Sequence, residues 1–157
     1  MSIPVEMLRR VARGVQGEAR AITRLDAERI LEIACLAVAA DGVITDSERA
    51  ALHVFSAELG SMAAAELDSL AYECLTGTRE ERDERLRRAA EALSSTPARH
   101  LAYQVSVATA LADLATADQE FEFDLDVQAA LDLAPTVVDE LAASVHRALT
   151  IDGGSEE

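Results

Sequence analysis

Ile30-Leu31-Glu32-Ile33-Ala34-Cys35-Leu36-Ala37-Val38-Ala39-Ala40 runs into Asp41-Gly42-Val43-Ile44-Thr45-Asp46-Ser47-Glu48, and this junction decides the fold. The first stretch is apolar almost all round and rich in Ala, which predicts a helix in the middle of a domain. Asp41-Gly42 stops it, because glycine tolerates the left-handed conformation that helix C-termini favour. Thr45-Asp46-Ser47-Glu48 then predicts a capping box: the Thr hydroxyl accepts from the Glu48 amide and the Glu48 carboxylate accepts from the Thr45 amide. The same order of parts returns, degraded, as Ala117-Asp118-Gln119-Glu120-Phe121-Glu122-Phe123-Asp124-Leu125 after the Ala- and Leu-rich stretch from Leu101 to Leu114. A duplicated helix-turn-helix unit follows as the expectation.

Working outward, residues 1–22 read as an amphipathic helix, with Met7, Val11, Val15 and Ile22 on one side. Thr23 opens the apolar helix. Leu52, Phe55 and Leu59 form the inward stripe of the helix after the first turn, which Gly60-Ser61 breaks. Met62 to Leu75 is the next helix, with Leu67, Leu70, Ala71 and Cys74 inward. Thr78 with Glu81 is a second capping box and opens an arginine-rich helix, where i,i+4 spacing predicts the ion pairs Glu81–Arg85, Asp83–Arg87 and Glu84–Arg88. Thr96 is expected as the N-cap of the second apolar helix, with Pro97 at its first position. A short helix from about Phe123 to Leu133 and a last one from Thr136 to Leu149 complete an all-α, single-domain bundle of about eight helices in two pseudo-repeats, the N-terminal helix counted with the helical domain of residues 23–150. Residues 151–157 read as a flexible acidic tail.

Composition narrows the function. The formal net charge is −15 over 157 residues, which disfavours nucleic acid and anionic lipid surfaces. No uncharged run reaches the roughly 18 to 20 residues of a membrane span. The N-terminus lacks a basic start followed by an apolar core, so a cytoplasmic location is expected. The chain has no Lys, which removes phosphate-loop, Schiff-base and kinase-type chemistry. Cys35 and Cys74 form no Cys-x-x-Cys pair and read as small buried apolar side chains, while His53, His100 and His146 have no metal-ligand spacing. Nothing positions a nucleophile, and a non-enzymatic protein is expected.

Asp-Gly-x-Ile-x-x-x-Glu also matches the second half of a calcium loop. Counting back from Glu48 as the twelfth position puts Ala37 and Ala39 at the first and third, where oxygen ligands are required, so that reading fails. A different arrangement remains open: packing of the two apolar helices about a pseudo-twofold axis would bring Asp41, Asp46 and Glu48 towards Asp118, Glu120 and Glu122, a carboxylate set suited to calcium or magnesium.

Ala-Ala-Asp-Gly-x-Ile-x-x-x-Glu from Ala39 to Glu48, with Ala-Leu-Ala-Asp-Leu-Ala-Thr-Ala-Asp-Gln-Glu-Phe from Ala110 to Phe121, resembles the TerB-like family of tellurite-resistance proteins across about Asp26 to Leu149. The resemblance implies an acidic, two-repeat helical domain associated with stress response, with partner recruitment and divalent-metal binding proposed for its members. Asp41, Glu48 and Asp118 match the family's acidic positions. Gln119 and Leu125 stand where the second turn's Gly and Glu are expected, and break the symmetry of the two turns. Two expectations result: an interaction module that recruits a protein partner with a basic surface, and a divalent-metal protein using the acidic turns.

Overall fold

A computed structural model describes residues 22–40, 42–60, 62–93, 95–111 and 125–155. Seven helices occur among them: α1 (Arg24–Ala39), α2 (Asp46–Leu59), α3 (Ala64–Thr76), α4 (Arg79–Ala92), α5 (Thr96–Leu111), α6 (residues 125–130) and α7 (Pro135–Ser155). The described residues contain no strand, so the fold is all-α. Of the helix expected over residues 1–22, only Ile22 falls among the described residues, and it is not helical.

α1 is the centre of the bundle. It packs most extensively against α5 and also against α2, α3 and α4, while α5 carries α7 on another side. Ile30, Leu31, Ile33, Leu36 and Val38 have no exposed surface. Burying an aliphatic side chain of this kind stabilises by about 1.5–3 kcal/mol, so α1 alone supplies a large share of the apolar driving force. Phe55 of α2, Leu67 of α3, Leu101 and Val105 of α5, and Val145 of α7 close around it. Alanines at 34, 37, 39, 98, 102 and 108 let the two central helices approach closely.

The helix ends follow local chemistry. Thr23 Oγ1 accepts from the Asp26 amide at 3.0 Å and starts α1. Both predicted capping boxes form: Thr45 with Glu48, and Thr78 with Glu81. At α3 only half of a box is possible, because the N-cap is Ala63; Glu66 Oε1 accepts from the Ala63 amide at 3.1 Å. Gly60 ends α2 in the left-handed region, with φ 66°.

Two expected starts move. Ser95, not Thr96, caps α5, its Oγ accepting from the Ala98 amide at 3.3 Å. Either hydroxyl satisfies the sequence signal, and Ser95 is the one placed three residues before a free amide, since the amide three residues after Thr96, that of Arg99, already donates to the Ser95 carbonyl at 3.2 Å. α7 starts at Pro135, whose ring suits the first helical position, so Thr136 lies inside the helix rather than capping it. Helical backbone also continues past Leu149 as far as Ser155. None of the described helices is long and apolar enough to cross a membrane.

Candidate functional site

The α1–α2 connection carries the first acidic turn. Gly42 has φ 88°, a conformation open to glycine at little cost, and its amide donates to the Ala39 carbonyl at 3.0 Å. Thr45 then takes an extended conformation and caps α2. Its Oγ1 accepts from the Glu48 amide at 3.1 Å, and Glu48 Oε1 accepts from the Thr45 amide at 2.9 Å.

Glu48 is only 1% exposed, an unusual position for a capping carboxylate. Its second oxygen, Oε2, is buried and has no hydrogen-bond partner among the described residues. Burying an unsatisfied polar atom is costly, and a charged one more so. Asp46, two positions earlier, is exposed, as expected of residues at i and i+2 on a helix, which leave it on different sides. The other four residues expected to join this site, Asp41, Asp118, Glu120 and Glu122, lie outside the described residues. Among the described residues, no group of three or more His, Cys, Asp or Glu is placed to hold a metal ion. Ala37 and Ala39, which a calcium loop would need as ligands, sit in the buried part of α1.

A second polar cluster joins α1, α3 and α4. Glu32 is the one carboxylate inside the apolar run of α1 and is 7% exposed. Its Oε1 accepts from Arg29 Nη1 at 2.7 Å, and its Oε2 lies 3.2 Å from Arg85 Nε of α4. Arg85 reaches α3 as well: Nη2 donates to Glu73 Oε1 at 2.9 Å, and Nη1 lies 3.6 Å from Cys74 Sγ. One guanidinium thus ties three helices. Around it opens a groove of about 570 Å³ lined by Arg29, Glu32, Glu80, Glu84, Arg85 and Arg88 among others.

The ion pairs of α4 depart from the i,i+4 expectation in an instructive way. Only Glu84–Arg88 forms as expected, at 2.9 Å. Glu81 is occupied by the Thr78 cap, Arg85 turns inward to Glu32, and Arg87 pairs with Glu84 and Glu91 rather than Asp83. Thr78 amide donation holds the Glu81 carboxyl below its usual range, and the Arg87 guanidinium does the same for Glu84.

Both cysteines are free and buried. Burial pushes the Cys35 thiol far up, and the neighbouring Cys74 adds to it. Burial also raises Cys74, against a lowering contribution from the Arg85 hydrogen bond. Thiols in such surroundings are poor nucleophiles. Elsewhere His53 Nε2 lies 2.8 Å from Asp68 Oδ1, joining α2 to α3 at the surface, and Gln104 Nε2 donates to Ser144 Oγ at 2.9 Å, joining α5 to α7.

Sequence reasoning passed over Glu32. The signal was a single carboxylate within eleven otherwise uncharged residues of a helix expected to be surrounded by protein. Such a group must be buried with a cation, and the arginine-rich helix was the available source. Comparison with protein-family models, with curated proteins and with solved structures returned no match.

Proposed function

We propose that this chain is a non-catalytic, TerB-like helical module of two pseudo-repeats, associated with stress and tellurite resistance, whose acidic surface recruits a protein partner with a basic surface. The observation that carries this reading is how the positive charge is spent. Arg29, Arg85, Arg87 and Arg88 are all engaged by glutamates of the chain itself. With a formal net charge of −15, the excess is carboxylate, and Glu80, Asp83, Asp126, Asp139 and Glu140 are among those exposed. Such a surface attracts cationic partners and repels nucleic acid.

The test is co-purification from the source cells at low salt, identification of what is retained, and measurement of Kd with the purified partner between 50 and 500 mM NaCl. A basic partner whose affinity falls steeply with salt supports the reading, because exposed charges are screened over about 10 Å at 0.1 M. A partner bound equally well at both salt levels contradicts it.

Glu48 Oε2 favours a second reading, a divalent cation, calcium or magnesium, bound beside the α1–α2 turn. A buried carboxylate oxygen without a donor fits a hard cation, which takes oxygen ligands. Asp41, Asp118, Glu120 and Glu122 are the residues proposed to complete the set with it; Asp46, exposed on the other side of the helix, fits less well. Thermal unfolding of chelator-treated protein with calcium or magnesium restored is the test. Binding to the folded state raises the midpoint by several degrees in the parent and not in Glu48→Gln or in an Asp41→Ala, Asp118→Ala double variant. Equal midpoints with and without each ion remove this reading.

A further inference from the structure

α4 is built differently from its neighbours. Leu86, Ala89 and Ala90 are its buried residues, and two of the three are alanines, whose methyl groups cover little area. Its one substantial packing partner among the described helices is α1. A helix that is polar nearly all round is not held down by an apolar face, so its attachment has to come from elsewhere.

The polar attachment is the Glu32–Arg85 contact. Glu32 is held from its own helix by Arg29, and Arg85 is held from α3 by Glu73. The groove beside it admits solvent and salt, and the side chains of Arg29 and Arg85 are about one-third exposed. The same guanidinium lies against Cys74, itself 1% exposed. Glu32 is one helical turn from Cys35 on α1, so both buried thiols of the chain sit next to this pin.

We propose that α4 is a strap over the α1–α3 seam, pinned by Glu32–Arg85–Glu73, and that release of this pin opens α4 as a local unit and uncovers Cys74. The connections to α3 and α5 are short, residues 77–78 and 93–95, so opening takes the form of local unfolding and not a rigid swing. Screening of partly exposed charges makes the opening respond to ionic strength. Cys74 is the natural reporter, since a thiol reagent reaches it only when Arg85 and its helix have moved away.

The experiment is alkylation of the full chain with iodoacetamide, followed by mass spectrometry that scores Cys35 and Cys74 separately. Parent protein is compared at 50 mM and 1 M NaCl, beside Glu32→Gln, Arg85→Met and the surface control Arg87→Gln. The expected result is a Cys74 rate that rises at least tenfold in Glu32→Gln and severalfold with salt in the parent, outpacing Cys35, while Arg87→Gln behaves as the parent. Arg85→Met keeps an apolar stem and should match Glu32→Gln. If either variant fails to fold, the salt arm on the parent still decides. A single common rate for both thiols at both salt concentrations, set by global unfolding, overturns the proposal.

Discussion

α1 and α4 lie side by side and are of similar length, yet they are stabilised by opposite means. α1 buries twelve of its sixteen residues, and α4 three of its fourteen. One is a helix because the core closes around it. The other is a helix because both ends of its first turn are tied, its charges of both signs are interspersed along it, and one arginine reaches across to a buried carboxylate. Apolar burial adds many small contributions that are lost only together, whereas a polar attachment concentrates its effect in a few atoms that solvent, salt and protons can reach.

The widest separation between the two helices should appear on truncating the core. Leu36→Ala, at a site with no exposed surface, is expected to cost 2–5 kcal/mol in urea-induced unfolding, whereas truncation of an exposed α4 residue is expected to stay within about 0.5 kcal/mol. A loss below 1 kcal/mol at Leu36 would mean that α1 is not the centre of the core.

The caps come next. Thr45→Ala and Thr78→Ala each remove a hydroxyl that accepts from the third amide of a helix, and about 1 kcal/mol is expected in each case. Thr45→Ala should exceed Thr78→Ala, because its partner Glu48 is buried and Glu81 is not. The reverse order would count against the buried capping box.

Acid separates the helices further. Glu81 and Glu84 have folded pKa values below the ordinary 4.5, so their contribution is fully present above that value and is lost as pH falls through the lowered folded values. Helical signal and amide protection in α4 are therefore expected to fall before those of α1 on titration from pH 5 downward. In Glu81→Gln the acid loss at the first turn should be smaller. The smallest effect is expected at Arg87→Ala, whose pairs with Glu84 and Glu91 are exposed and screened by solvent: a shift in the urea midpoint smaller than that of either cap variant, and smaller still in 0.5 M NaCl.

These contrasts explain what was readable from the chain. Capping is settled within four residues, so Thr45–Glu48, Thr78–Glu81 and the stop at Gly60 could be read directly. The all-α class followed from the period of the apolar residues. The N-cap of α5 slipped by one because Ser95 and Thr96 offer the same hydroxyl, and α7 began early because Pro135 suits a first turn as well as a break. Arg85 was the harder case. Its local partner Glu81 was already used by a cap, and its actual partner Glu32 comes from a distant part of the sequence, where only the packing of α4 on α1 brings them together. The burial of Glu48 was equally hidden, since a capping box reads the same on an exposed helix as on one pressed into a core.

Hydrogen exchange at each amide tests the contrast between the two helices most directly. The structure predicts that central α1 amides exchange only by global unfolding, while α4 amides exchange at least tenfold faster, and faster again at 1 M NaCl. Equal protection in α1 and α4, unchanged by salt, would contradict it and make α4 an integral part of one cooperative core.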